Sequence, residues 1–371
     1  MATNVRRDIE REFMPKTITW SGKLRIMQYS RLGDTGLIVS RLAFGAMTFG
    51  TGKGPFAAVS KVGPELADQI IGKTLDAGIN FFNTADGYTG GQSEEMLGKA
   101  LGARRKDVAI ATKVAFRTGE AMIHQGLSRQ HIFSSAEGSL KRLGTDYIDV
   151  YLVHRVDIHT PVEETVDALH DLVRQGKVRY VGFSNWPAWM AAKAVGIQKR
   201  HGGARFRAAE MYYSLVGRDV EYDVVPFLED AGIGMMVWSP LAGGFLTGKY
   251  TRENPQGDGG RLTGFDMLPY DREKGHAVVD KLREIAKTHN ASPAQIALAW
   301  LLRKPGVTSV LIGANKIAQL DDNLGAMNAQ LSDDQMTQLD QLTAPAPLYP
   351  HWFTARVKDP VVAAALASGK Q

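Results

Sequence analysis

The sequence predicts an α/β fold, a (β/α)8 barrel of the TIM type. Three observations point there. Eight short β-rich runs recur along the chain, helical stretches separate them, and no glycine-rich dinucleotide fingerprint opens a helix after the first run. The runs are SRLAFGAM (40–47), NFFNTA (80–85), VAIATKV (108–114), DYIDVYLVH (146–154), VRYVGFSN (178–185), FRAAEMYYS (206–214), IGMMVWSPL (233–241) and VTSVLIGA (307–314). Most are near-continuous apolar segments, as in parallel strands covered on both faces. Between them lie PELADQIIGKTLDAG, SSAEGSLKRLG, PVEETVDALHDLVRQG and AQIALAWLLRK. Several of these end at a glycine (Gly78, Gly144, Gly176, Gly232), which accepts the left-handed cap of a helix. An open doubly wound sheet is the alternative. It would place its fingerprint glycines at a helix start, and Gly45, Gly50, Gly52 and Gly54 do not open one.

The chain has 371 residues, 44% apolar and 22% charged, the make-up of an ordinary globule. Its net charge of +5 comes from scattered residues, a mild bias toward anionic ligands and no case for nucleic acid. With no cysteine, disulfides, thiolate metal sites and thiol nucleophiles are excluded. No apolar run approaches the length of a membrane span. Residues 1–26 are charged throughout, lack a signal-peptide core, and are expected to be an extension of a cytoplasmic protein. The barrel is expected over residues 27–344, with one more helix (LSDDQMTQLDQLTA) and a proline-rich tail over 345–371. Residues 242–271 form a long Gly/Pro-rich loop of the kind that makes a lid.

Reactive groups in such a barrel gather at the C-terminal strand ends. There stand Asn83 with Tyr88 just beyond, Lys113, His154, Ser184 and Asn185, Glu210, Trp238 and Ser239, and finally Gly313 with Asn315. Taken singly, the tyrosine reads as a surface turn, the lysine as snorkelling and the histidine as structural. A metal cluster of His154, Asp157 and His159 is a weak reading, because a strand end gives no spacing that converges ligands. Together, Tyr88, Lys113 and His154 make a proton-transfer set. A phenol with a pKa of about 10 is a poor acid, a nearby ammonium lowers that value, and a neutral imidazole can orient a carbonyl oxygen. Residues 243–250, GGFLTGKY, match a P-loop only in part. Tyr250 replaces the magnesium-binding hydroxyl and no helix follows, although Lys249 can still meet a phosphate.

These residues resemble the aldo-keto reductases, from about Met27 to Ala344. The likeness runs through the opening segment YSRLGDTGLIVSRLAFGAMTFG, then FFNTADGY, SEEMLGKAL, IATK, SLKRLGTDYIDVYLVH, GKVRYVGFSN, WSPLAGGFLTGKY and IGANKIAQLDDNLGA. The resemblance implies an NADPH-dependent reduction of an aldehyde or ketone, with an N-terminal β-hairpin before the barrel and extra C-terminal helices. It places the family's Tyr, Lys and His on Tyr88, Lys113 and His154. The fourth catalytic position, an Asp in the family, falls on Asn83, which can accept a hydrogen bond from Lys113 but cannot offset its charge. Asp86 is the nearby candidate for that charge. Activity is expected to survive with a shifted pH profile, and Asn83→Asp to alter one end of it.

The resemblance also implies cofactor contacts. Ser184, Asn185 and Trp238 fall at the nicotinamide, and Ser239, Leu241, Gly243 and Lys249 at the pyrophosphate, with Met47 and Pro240 as further cofactor contacts. Gly313, Asn315, Lys316, Gln319, Asp322 and Asn323 fall at the adenosine end. Glu210 stands where the family usually has Gln, and Asn315 where an Arg often grips the 2′-phosphate. NADPH is expected over NADH. An aromatic substrate wall is expected from Phe49, Phe56, Phe116, Trp186, Tyr213 and Trp352, suiting a bulky carbonyl. No metal is expected. The alternative is a regulatory NADPH-binding protein like the potassium-channel beta subunits, which share WSPLAGGFLTGKY and NKIAQLDDN but commonly carry Asn at the His154 position.

Overall fold

The structure, a computed structural model, describes residues 19–20, 23–24, 27–51, 58–257, 261–357 and 359–368. An antiparallel hairpin, β1 (Tyr29–Arg31) and β2 (Ile38–Ser40), precedes eight parallel strands. These are β3 (Leu42–Gly45), β4 (Phe81–Asn83), β5 (Ala109–Val114), β6 (Ile148–Val153), β7 (Val178–Ser184), β8 (Phe206–Tyr212), β9 (Gly234–Trp238) and β10 (Val307–Ile312). They pair in chain order, and β10 closes on β3 with Val310 opposite Leu42 and Ile312 opposite Phe44. The expected (β/α)8 barrel is the fold.

The strands stop short of the apolar runs that announced them. Met47, Ala85, His154, Asn185, Ser214, Leu241 and Ala314 all lie beyond a strand end. Asn185 and Ser239 take positive φ values of 57° and 50°, which no strand accommodates. The chain turns there because polar side chains at the barrel mouth leave the ladder.

Helices cover the outside. They include α1 (Pro64–Asp76), α2 (Gln92–Leu101), α3 (Arg129–Leu143), α4 (Val162–Arg174), α5 (Ala188–His201), α6 (Val224–Ala231), α7 (Arg272–His289), α8 (Pro293–Leu302) and α9 (Ile317–Leu324). In α4 the buried residues are Thr165, Val166, Ala168, Leu169 and Leu172, one stripe at helical spacing. By contrast α8 is apolar on every face beyond Gln295 and buried at Ala294 and from Ile296 to Leu301, and it opens with a Ser292–Gln295 capping box. Three more helices follow: α10 (Asp333–Leu342), α11 (His351–Arg356) and α12 (Pro360–Ser368). Among the described residues, no helix is long and apolar enough to cross a membrane.

Inside the barrel, Ala43, Phe81, Ala111, Leu152, Ala208 and Met236 pack as an apolar floor with Leu32 and Val39 of the hairpin. The hairpin plugs the N-terminal mouth. At Gly33 (φ +58°) a Cβ would sit 2.4 Å from the Gly232 carbonyl and 2.7 Å from the Gly234 nitrogen, so only glycine allows the approach. The mouth left open is the one where the strands end.

Candidate active site

Side chains alternate along a strand, so two residues past each floor position the chain faces the lumen again. That step leads from Phe81 to Asn83, Ala111 to Lys113, Leu152 to His154, Ala208 to Glu210 and Met236 to Trp238. Five expected site residues therefore stand together above the apolar floor.

Lys113 joins them. Its fully buried Nζ donates to Asn83 Oδ1 (2.7 Å), to the Thr84 carbonyl (2.9 Å) and to Tyr88 Oη (3.2 Å). An ammonium only donates, so the Tyr88 oxygen accepts that bond and the phenolic proton takes no part in it. One Glu210 oxygen lies 3.3 Å from Nζ, and the other accepts a 2.6 Å bond from Asn83 Nδ2. The Tyr88 and His154 rings meet edge-on at 5.6 Å.

Charge follows from this packing. Burial opposes the Lys113 charge, yet the Glu210 carboxylate and then Tyr88 outweigh it and hold the lysine pKa above its ordinary value. Burial raises the Tyr88 pKa, with Lys113 pulling it back. Burial, then Lys113 and Arg155, hold His154 well below the ordinary imidazole range, so the ring is neutral at physiological pH. Asp86 does not supply the charge beside Lys113. It faces α3, where it accepts a 2.5 Å bond from Ser135 Oγ, and burial pushes its pKa up to about 7. The carboxylate at Lys113 is that of Glu210, which the sequence reading had placed at the nicotinamide instead.

Beside His154 a second network forms the rim. Asn185 Nδ2 donates to the His154 carbonyl (3.0 Å) and to Ser184 Oγ (2.8 Å), while Asn185 Oδ1 accepts from Trp238 Nε1 (3.0 Å). Ser239 Oγ accepts from the Gly243 amide at 3.0 Å, folding 239–243, with Pro240 and Leu241, into a tight turn. Gly243 and Gly244 take φ values of 68° and 95°. Partial burial, then Arg261 and Lys316, lower the Lys249 pKa. Arg261, which the sequence reading missed, comes from the long loop after β9, and its field also reaches Tyr88. Its buried Nε has no hydrogen-bond partner, and neither does Asn315 Oδ1.

Three cations that repel one another, a glycine turn without Cβ atoms and two orphaned polar atoms fit an anionic dinucleotide along this rim. Gln319 Oε1 accepts from the Asn315 amide, and Asn323 Nδ2 donates to the Gly313 carbonyl, which ties the adenosine-end residues into one turn. Asp322 points away: its carboxylate accepts from Ser292 Oγ and Gln295 Nε2 at the start of α8. Met47 lies in a single 3-10 turn after β3.

The expected aromatic wall is largely elsewhere. Phe49 packs on Phe44 at 5.6 Å, Trp186 between Phe183 and Phe206, and Tyr213 on Trp300 at 5.4 Å, all in the core. Phe56 lies outside the described residues. Trp352 sits in the tail against Tyr349 and Phe353. Phe116 does reach the site, its ring meeting that of His154 edge-on with centroids 4.7 Å apart. Tyr212, two residues past Glu210, packs on Trp238 at 5.2 Å, and strand alternation was the signal that selects it over Tyr213.

Residues 41–344 match the pattern of the "Aldo/keto reductase family". The chain is similar to a protein of Oryza sativa subsp. japonica named "Probable voltage-gated potassium channel subunit beta", 38% identical over 314 residues, 81% of this chain and 92% of the other. It is 32% identical over 351 residues to "Versiconal hemiacetal acetate reductase" of Aspergillus parasiticus, covering 87% and 99% of the two chains. It is also 35% identical over 327 residues to "Uncharacterized oxidoreductase YrpG" of Bacillus subtilis (strain 168), covering 85% and 96%. The chain belongs to the aldo/keto reductase family and is an NAD(P)H-dependent oxidoreductase.

Proposed function

We infer that the chain reduces an aldehyde or ketone to the alcohol, reversibly and with NADPH, using Tyr88 as the general acid. The observation that carries this reading is the bond from Lys113 to Tyr88 at 3.2 Å, beside a neutral His154. A bound nicotinamide supplies the hydride. The chain's own groups handle the proton: Lys113 stabilises the phenolate that Tyr88 becomes, and His154, uncharged, orients the carbonyl oxygen without competing as an acid. Ser184, Asn185 and Trp238 hold the nicotinamide end, Ser239 to Lys249 the pyrophosphate, and Gly313 to Asn323 the adenosine. The cations Lys249, Arg261 and Lys316 favour NADPH over NADH, because a third phosphate relieves their mutual repulsion.

Phe116 and Tyr212 suit an aromatic or bulky carbonyl. The activity is assigned to residues 27–344, acting in the cytoplasm on a small molecule. The tail beyond 345 contributes to the pocket in this reading, supported by the stacking of His351 on Tyr222 at 5.7 Å in the loop after β8. The test is loss of reduced-nicotinamide absorbance with aromatic aldehydes and bulky ketones, and Tyr88→Phe is expected to lower turnover by about 10²–10⁴. The likeness to the rice protein favours a second reading, a regulatory subunit that binds NADPH. Tight NADPH binding with no turnover on any carbonyl would select it.

A further inference from the structure

Glu210 and Asn83 belong to strands four places apart in the eight-strand ring, on opposite walls of the barrel. Asn83 makes two bonds of opposite sense, its oxygen accepting from Lys113 on the neighbouring strand and its nitrogen donating across the lumen to Glu210. The orientation of the amide is dictated by its neighbours: reversed, it would aim NH2 at an ammonium and oxygen at a carboxylate. The Lys113 ammonium is fully buried, and the only carboxylate within ion-pair distance of it among the described residues is Glu210, itself 3% exposed. A buried charge without a partner destabilises the fold or gives up its proton. The acid expected at position 83 and the amide expected at position 210 have changed places, and the site keeps one negative charge.

We propose that Glu210 is the counter-charge of Lys113, reaching it across the barrel with Asn83 as a neutral bridge, and so is a positioning residue acting through Lys113 on Tyr88. This rests on the reading of Tyr88 as the acid. The charged and titratable groups around Lys113 are Glu210, Tyr88 and His154, with Arg261 acting on Tyr88 from the loop. Removing the Glu210 charge should make Lys113 give up its proton at lower pH, and the alkaline limb of the turnover profile should move the same way.

The experiment compares wild type, Glu210→Gln and the swap Asn83→Asp/Glu210→Gln, by thermal unfolding, by NADPH binding through tryptophan quenching, and by turnover against pH. Glu210→Gln is expected to unfold about 5 °C lower and to lose about tenfold or more in kcat with a displaced alkaline limb. The swap is expected to recover at least half of each change, because the carboxylate returns to Lys113 from the other wall. A swap that folds and binds NADPH but is no better than Glu210→Gln overturns the proposal. If the swap does not fold, Lys113→Met with and without Glu210→Gln answers on stability alone. The proposal requires the Glu210→Gln loss to vanish in that background, and an undiminished loss overturns it. Wild type without turnover on any carbonyl would sink the reductase reading while leaving the stability cycle to judge the ion pair.

Discussion

Replacing Asn83 with Asp adds an acid to a site that already holds one. The new carboxyl would lie near the present amide atoms, 2.7 Å from Lys113 Nζ and 2.6 Å from a Glu210 oxygen. At an effective dielectric near 20, each such contact between unit charges is worth about 6 kcal/mol. Attraction and repulsion cancel, and burial decides. Asp86, a buried carboxyl that faces Ser135 of α3 instead, is raised to about 7 by that cause. A comparable rise for an acid at position 83 is worth about 4 kcal/mol. The folded-state value lies above the unfolded one, so the folded protein holds the proton longer as pH rises. The variant should approach wild-type stability below about pH 4 and lose ground through the next 3 units or so. Above neutrality the full loss of about 4 kcal/mol applies. In its protonated form the acid donates to Glu210 as the amide does, so turnover should survive at the acid end and fall at the alkaline end. Urea unfolding of both proteins across pH measures this. A stability gap that is constant with pH, or that widens toward acid, would refute the reasoning.

Other outcomes follow from the same geometry. Asp86→Asn keeps an acceptor for Ser135 but removes a group raised to about 7, so its stability relative to wild type should rise through that pH window, by up to about 4 kcal/mol in urea melts. Gly33→Ala meets the Gly232 carbonyl at 2.4 Å with a positive φ and should lose about 2–4 kcal/mol by chemical denaturation, with NADPH affinity unchanged in the protein that remains folded. Lys249→Ala should bind NADPH about tenfold more weakly, with a shallower salt dependence in fluorescence titrations, and equal affinity would remove Lys249 from the phosphate site.

Much of the fold was legible because eight buried parallel strands leave eight apolar runs. The inward phase was legible too: once Ala111 and Lys113 share a face, the polar residue above each floor position can be counted off by twos. What could not be read was the partner of Lys113. Asn83 and Glu210 are 127 residues apart, and their contact depends on how the barrel closes rather than on either strand alone. Asp86, close in sequence, was the natural guess, yet the turn after β4 directs it to Ser135. The aromatic wall failed for a different reason. Phe49, Trp186 and Tyr213 fill space behind the strands, and a buried ring carries the same letter whichever side of the sheet it packs on.

The plugged mouth and the transverse Asn83–Glu210 bond bear on how the chain is made. A nascent chain leaving the ribosome presents β4 and β5 long before β8 exists, so Lys113 then has no carboxylate across from it. The same delay applies to the hairpin, whose Gly33 seats against Gly232 and Gly234 at the start of β9. The floor and Lys113 thus depend on the same late strands, and a chain cut short before them has neither a sealed barrel nor a paired Lys113. On the reading of Tyr88 as the acid, such a site belongs to the finished cylinder and not to any part of it.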